Sequence, residues 1–290
     1  MMSWNQVGVG AAALLFAPML GALLQGVDRR LTARIQGRQG PPLLQPFYDL
    51  FKLLGKEQLI VNRMQLVYAW LHLTFMAATV MMLALGQDSL MLLFVLAFST
   101  LSLVIGGMCV RSPYSRIGSQ REILLMVAYE PVLVLMVVGF YLVNHSFSIA
   151  SLWQADQPLL MRLPLIFLAL LAVAAIKLQK SPFDLASSHH AHQEIVKGIT
   201  IEYSGPTLAV LELAHFYETT LVMALLALFW ATNWWIGGTL ALGAYLLVIL
   251  LDNACARLTT LWMFKFMWTV VLGLALTNII WLYLSIQHLR

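Results

Sequence analysis

The segment PTLAVLELAHFYETTLVMALLALFWA, from Pro206 to Ala231, is apolar for long enough to cross a lipid bilayer as one helix, yet carries Glu212, His215 and Glu218 within it. A helix needs about 20 mostly apolar residues, at 1.5 Å each, to span the hydrocarbon. The three ionisable residues recur at intervals of three, so neighbours share a side of the helix and could pass a proton through intervening water. Placing such a group in hydrocarbon costs roughly 2.5 to 3.5 kcal/mol on insertion scales, which makes each a functional candidate.

Seven further blocks of this kind flank it. We read spans at Val7 to Leu24, Leu66 to Leu85, Leu90 to Val110, Ile123 to Val143, Leu163 to Leu178, Pro206 to Ala231, Ile236 to Ala256 and Leu261 to Ile286. Across the 290 residues 61% are hydrophobic and only 10% charged, too little polar surface for a chain dissolved in water. Backbone groups in lipid must bond within their own helix. The expected fold is therefore an all-α, polytopic bundle of about eight transmembrane helices forming one domain.

The net charge of +4 is explained by topology rather than by a nucleic-acid patch. With the N-terminus outside, 17 Lys and Arg distribute so that all but Arg162 and Arg290 fall inside. The positive-inside rule gives the orientation, and the clean alternation supports eight crossings. The first arginines, Arg29 and Arg30, follow the first apolar block, the reverse of a cleavable signal peptide. Cys109 and Cys255 stand apart and outside any CxxC pair, offering no disulfide framework, iron–sulfur site or zinc site.

The inner loops, Gly26 to Gln65, Arg111 to Glu122 and Gln179 to Gly205, are long, whereas the outer turns at Gln87-Asp88 and Asn233-Trp234 are minimal. A partner would dock from inside. In the first loop Leu43, Phe47, Leu50, Phe51 and Leu54 recur at helical spacing, with Gln45, Asp49, Lys52 and Lys56 on the other face. This pattern predicts an amphipathic helix on the membrane surface, or one packed under the loops. No internal repeat is visible, unlike many transporters.

Besides Glu212, His215 and Glu218, Glu130 lies seven residues into the fourth span, about 10 Å deep, and Asp252 near the inner end of the seventh. Carboxyls removed from water hold protons up to near neutral pH, which suits a relay. The same residues could instead be neutral carboxyls bonded between helices or partners of a buried cation. The third inner loop is the most unusual stretch: Asp184, His189, His190, His192, Glu194 and Glu202 crowd into it. His189, His192 and Glu194 could bind a transition metal, but their spacing matches no strong metal motif, and a polar proton-handling or docking loop is the plainer reading.

Three motifs resemble one family, the membrane subunit (subunit 1) that joins the hydrophilic and ion-pumping arms of respiratory complex I and of the related energy-converting nickel–iron hydrogenases. The first is Arg34-Ile-Gln-Gly37-Arg38-Gln-Gly40-Pro41 with the following Leu44-Gln45-Pro46 and Asp49-Leu-Phe-Lys52. The second is Arg121-Glu122 with Tyr129-Glu130-Pro131. The third runs from Pro182-Phe183-Asp184-Leu185 through Glu194-Ile-Val-Lys-Gly198 to Glu202-Tyr203-Ser204-Gly205. Where quinone-reducing members carry several glutamates, this chain has Ser187-Ser-His189-His190-Ala-His192-Gln, which looks like the Ech-type, formate hydrogenlyase-like branch.

The resemblance implies a non-catalytic coupling subunit with no cofactor of its own. The nickel–iron centre and iron–sulfur clusters would belong to hydrophilic large, small and iron–sulfur subunits, beside an antiporter-like membrane subunit. It also implies a proton path through Glu130, Glu202, Glu212, His215, Glu218 and Asp252, and docking or coupling roles for Arg34, Arg38, Asp49, Lys52, Arg121, Glu122, Asp184, His189, His190, His192 and Glu194. A complex I quinone reductase subunit, a stand-alone ion transporter and a passive anchor remain the competing readings.

Overall fold

The structure, a computed structural model, describes residues 4–155, 157–186 and 197–288. Its helices in chain order are α1 (Trp4–Ile35), α2 (Gln45–Leu54), α3 (Arg63–Ala84), α4 (Ser89–Met108), α5 (Pro113–Asn144), the single turns α6 (Ile149–Leu152) and α7 (Leu159–Arg162), α8 (Pro164–Lys177), α9 (Gly205–Ala227), α10 (Trp234–Ala254), α11 (Thr260–Phe266) and α12 (Leu272–His288). A π-helical turn, Met267–Val271, joins α11 to α12 in one rod. Among the described residues there is no strand, only an isolated bridge between Asp88 and Ser148. The chain is a multi-pass helical bundle.

Seven helices are long and apolar enough to cross a membrane. The eighth expected span is α8, with 14 residues, and it is almost entirely buried. At 1.5 Å per residue it covers about 21 Å, less than the hydrocarbon thickness, so its N-terminus starts inside the protein. Orphan N–H groups there need partners. Asn278 of α12, itself buried, supplies them: its Oδ1 accepts from the backbone N–H of Leu165 (2.9 Å) and Ile166 (3.1 Å), and its Nδ2 donates to the Arg162 carbonyl (3.1 Å).

Three helix boundaries differ from the sequence reading in ways that matter for the site. Helix α1 continues to Ile35, so Asp28, Arg29 and Arg34 ride on its extension rather than in a loop. Residues expected in the second inner loop belong to α5, which starts at Pro113, where proline's missing N–H is harmless. Its first turns pack on the Gly198–Thr200 turn: a Cβ at Gly118 would lie 2.4 Å from the Ile199 nitrogen. Lys177 is the last residue of α8 and is buried, not a loop charge.

Helices in lipid associate through close packing and interhelical hydrogen bonds rather than through a hydrophobic drive. Helix α9 lies at the centre, against α1, α3, α8 and α10. Gly21 lets α1 approach so closely that an added Cβ would sit 1.9 Å from the Phe216 carbonyl oxygen. The contact is fastened by the Tyr217 hydroxyl donating to the Leu14 carbonyl, Thr220 to the Ala17 carbonyl (both 2.6 Å) and Gln25 to Thr219 (3.1 Å). Away from the basic loops, Phe140 and Phe167 meet Phe229 edge-on at 5.6 and 5.2 Å.

The amphipathic helix forms as α2. Its Asp49 turns toward α1 and pairs with Arg29 at 2.7 Å, while Tyr48 and Phe51 stay exposed.

Candidate functional site

Four helices converge on the carboxylate of Glu218 near the basic end of the bundle. One oxygen contacts the Lys177 ammonium of α8 at 3.1 Å, and the other lies 3.4 Å from His215 Nδ1, one turn earlier on α9. The ammonium also donates to the Thr100 hydroxyl of α4 (3.2 Å) and sits 4.5 Å from the centre of the Tyr129 ring of α5. On α3, the His72 ring is buried, with Nδ1 2.9 Å from both the hydroxyl and the carbonyl of Ser99. A buried charge must be paired and hydrogen-bonded to be tolerated, and Lys177 is both.

A second cluster lies just past α8, closer to the loops. Lys180 binds Asp28 of α1 at 2.6 Å and Asp252 of α10 at 3.2 Å, and the Ser181 N–H donates to Asp252 at 2.8 Å. Burial alone would lower the Lys180 pKa, but the Asp28 and Asp252 carboxylates outweigh it and hold it above the ordinary lysine value. Three residues on, Asp184 accepts a two-pronged contact from Arg257, at 2.8 Å from Nε and 2.7 Å from Nη2. This pairing pins the start of the third loop to the α10–α11 turn, reinforced by the Leu258 N–H donating to the Pro182 carbonyl (3.0 Å).

Polar cavities link the clusters. The largest, about 370 Å³, is bounded by Gln25, Asp28, Arg38, Lys180, His215 and Tyr245. His215 and Gln179 also border a second, of about 70 Å³, which Glu212 and Glu218 line and which reaches Lys197 and Thr200. His72, Gln179 and Glu218 then separate it from a third, of about 20 Å³, where Glu122, Lys177 and Asp184 meet. Spaces of this size between polar groups suit bound water.

The candidates from the sequence fall into distinct places. Glu212, His215 and Glu218 share one cavity, as their spacing predicts. Asp252 joins the Lys180 cluster, and Glu122, expected as a loop residue, lies inside α5 on the third cavity. Glu130 stands apart: next to Tyr129, it faces an apolar groove between α4 and α5, lined by Leu90, Leu93, Phe94 and Leu133, with one buried carboxyl oxygen. Glu202 is half-buried ahead of α9, beside Tyr203, whose hydroxyl pKa is pushed up by burial. Arg34, Arg38 and Lys52 are exposed, Arg38 donating to Gln36, whereas Asp49 is held by Arg29 and Gln45. Arg121 donates to the Leu185 carbonyl (3.3 Å). His189, His190, His192 and Glu194 lie outside the described residues, among which no group of His, Cys, Asp and Glu is set to hold a metal.

Sequence reasoning missed Lys177, Lys180, Asp28, His72 and Arg257. The two lysines and Arg257 served as topology markers, because a cation just beyond an apolar run reads as a loop charge. A lone histidine inside the second span was the available signal for His72. Nothing local marks Asp28, whose partner is 152 positions away.

Comparison with known proteins agrees with this architecture. Residues 9–283 match the NADH dehydrogenase family. A membrane component of the NADH-quinone oxidoreductase of Geobacillus kaustophilus (strain HTA426) is 28% identical, over 96% of this chain and 94% of that one. Formate hydrogenlyase subunit 4 of Escherichia coli (strain K12) is 32% identical over 69% of each. Among solved structures, a chain of the membrane-bound sulfane sulfur reductase, an archaeal respiratory membrane complex, shares the fold with a TM-score of 0.85 at 22% identity, covering 96% of this chain and 99% of that chain. The chain belongs to the NADH dehydrogenase family, the complex I subunit 1 family that includes the formate hydrogenlyase-type membrane subunits, and is a membrane subunit of a respiratory complex.

Proposed function

We propose that this chain is the membrane coupling subunit of an energy-converting nickel–iron hydrogenase complex, linking electron transfer in docked hydrophilic subunits to movement of protons or sodium ions. The carrying observation is the chain of buried ionisable groups, from Lys180 with Asp28 and Asp252, past His215 and Glu212, to Glu218, Lys177, His72 and Glu122, threaded by polar cavities. A passive anchor has no use for so many costly charges in a membrane. Glu130 extends the path toward the α4–α5 face, and Glu202 stands at its loop end. The histidine loop and the likeness to formate hydrogenlyase subunit 4 favour the hydrogenase branch.

In this reading the chain sits in the cytoplasmic (inner) membrane, N-terminus outside and basic loops inside. Hydrogenase large and small subunits and an iron–sulfur subunit dock on Arg34, Arg38, Lys52 and the third loop, and an antiporter-like subunit lies beside it in the membrane. The nickel–iron centre and the clusters reside in those partners. A second reading, a quinone-reducing complex, is favoured by the 370 Å³ cavity at the basic end and by the NADH-quinone oxidoreductase relatives.

Gentle purification with mass spectrometry separates the two: a partner with paired CxxC motifs and bound nickel supports hydrogenase, a flavin and NADH module complex I. Coupling is tested by ion uptake into vesicles holding the whole complex, alongside hydrogen turnover, for Glu130→Gln, Glu212→Gln and both together. Uptake per turnover falls while assembly and turnover with soluble carriers persist. A double variant that assembles and keeps the parent's ratio refutes the relay.

A further inference from the structure

Lys177 is the most deeply placed cation among the described residues that meets a carboxylate. Its surroundings come from every helix packed on the end of α8: Glu218 at 3.1 Å with His215 behind it on α9, Thr100 at 3.2 Å on α4, the Tyr129 ring on α5, and His72 on α3 across Glu218. Glu122 of α5 and Asp184 line the small cavity beside the ammonium, but Asp184 is already committed to Arg257. Among the described residues no other Lys or Arg contacts Glu218, and no carboxylate lies closer to the ammonium.

We propose that Lys177 is the positioning residue of this path: its ammonium pins Glu218 as a permanent anion, so the mobile proton is carried by His215, His72 and Glu122 around the pair and never by Glu218 itself. The inference rests on the coupling function above and assigns different roles to groups that the spacing alone made equivalent. In a low-dielectric interior a contact pair is stable only while both members are charged. Protonating Glu218 would strand a buried ammonium with only a hydroxyl and an aromatic face as partners, and deprotonating Lys177 would strand the anion. Either change is far costlier than placing the proton on His215, where an imidazolium gains the second Glu218 oxygen at 3.4 Å. In each transfer one proton arrives at and leaves from an imidazole nitrogen or the Glu122 carboxyl, while Lys177 and Glu218 keep their protonation states. The pair is then a fixed dipole that sets the energy of the proton passing it.

The test uses the whole purified complex with Lys177→Met, Lys177→Arg, Glu218→Gln and the double variant Lys177→Met/Glu218→Gln. Infrared difference spectra read the carbonyl stretch of a protonated carboxylic acid, and vesicles read ion uptake per turnover against pH. Lys177→Met is expected to gain a protonated-acid band that the double variant lacks, and to lose uptake per turnover with a changed pH profile. Lys177→Arg restores both. If Lys177→Met fails to assemble, the double variant, which buries no charge here, assembles; its failure as well means that Lys177 is needed for packing and overturns the proposal. Absence of the new band, or an unchanged pH profile in Lys177→Met, also overturns it. A parent complex that takes up no ions refutes the coupling function instead, while the infrared comparison still decides the state of Glu218.

Discussion

Replacing Lys180 with Met keeps most of the side chain's volume but deletes the ammonium held 2.6 Å from Asp28 and 3.2 Å from Asp252. Two carboxylates from α1 and α10, both with largely buried side chains, then face each other without a cation. Breaking a buried pair from one side costs about 3–5 kcal/mol, because the remaining charge is neither solvated nor paired. Here one ammonium serves two anions, which puts the expected loss at the upper end of that range. For a chain of this size it corresponds to a fall in unfolding midpoint on the order of 10 °C. The assay is thermal unfolding of the detergent-solubilised protein, followed by circular dichroism. Adding Asp28→Asn and Asp252→Asn to Lys180→Met removes the stranded charges and should recover much of the loss, a non-additivity expected only of groups in one network. The sign of the pH effect follows from the raised Lys180 pKa: its contribution is complete below the ordinary lysine value of 10.5 and disappears only as pH rises through the higher folded value. Lys180→Met therefore differs from the parent by the same amount from neutral pH to about pH 10. A variant as stable as the parent, or one whose deficit is not relieved by the two Asn substitutions, contradicts this account of the cluster.

Gly21→Ala puts a Cβ 1.9 Å from the Phe216 carbonyl, roughly 1.5 Å short of ordinary contact, so α1 must move off α9; loss of folded protein in detergent-stability assays is expected, while Gly8→Ala, with open space around it, is neutral. Arg38→Ala, at an exposed basic position, should lower the recovery of hydrophilic partners without affecting insertion; equal co-purification with variant and parent rules out its docking role.

The membrane class, the spans and the family were legible because they depend on local quantities. Apolar run length sets whether a helix can sit in hydrocarbon, and spacing along one helix puts Glu212, His215 and Glu218 on a common cavity wherever that helix packs. The amphipathic pattern of α2 was likewise local. Which charges meet is not local. Lys177 and Glu218 are brought together by α8 packing on α9, and Lys180, Asp28 and Asp252 by three helices from opposite ends of the chain. That the bundle buries charge at all could be read from residue order, since an apolar span containing an acid admits no other reading. Which of those charges are neutralised in pairs and which remain to carry a proton was settled by helix packing, because in a low-dielectric interior that choice depends on contacts of about 3 Å between side chains up to 152 positions apart.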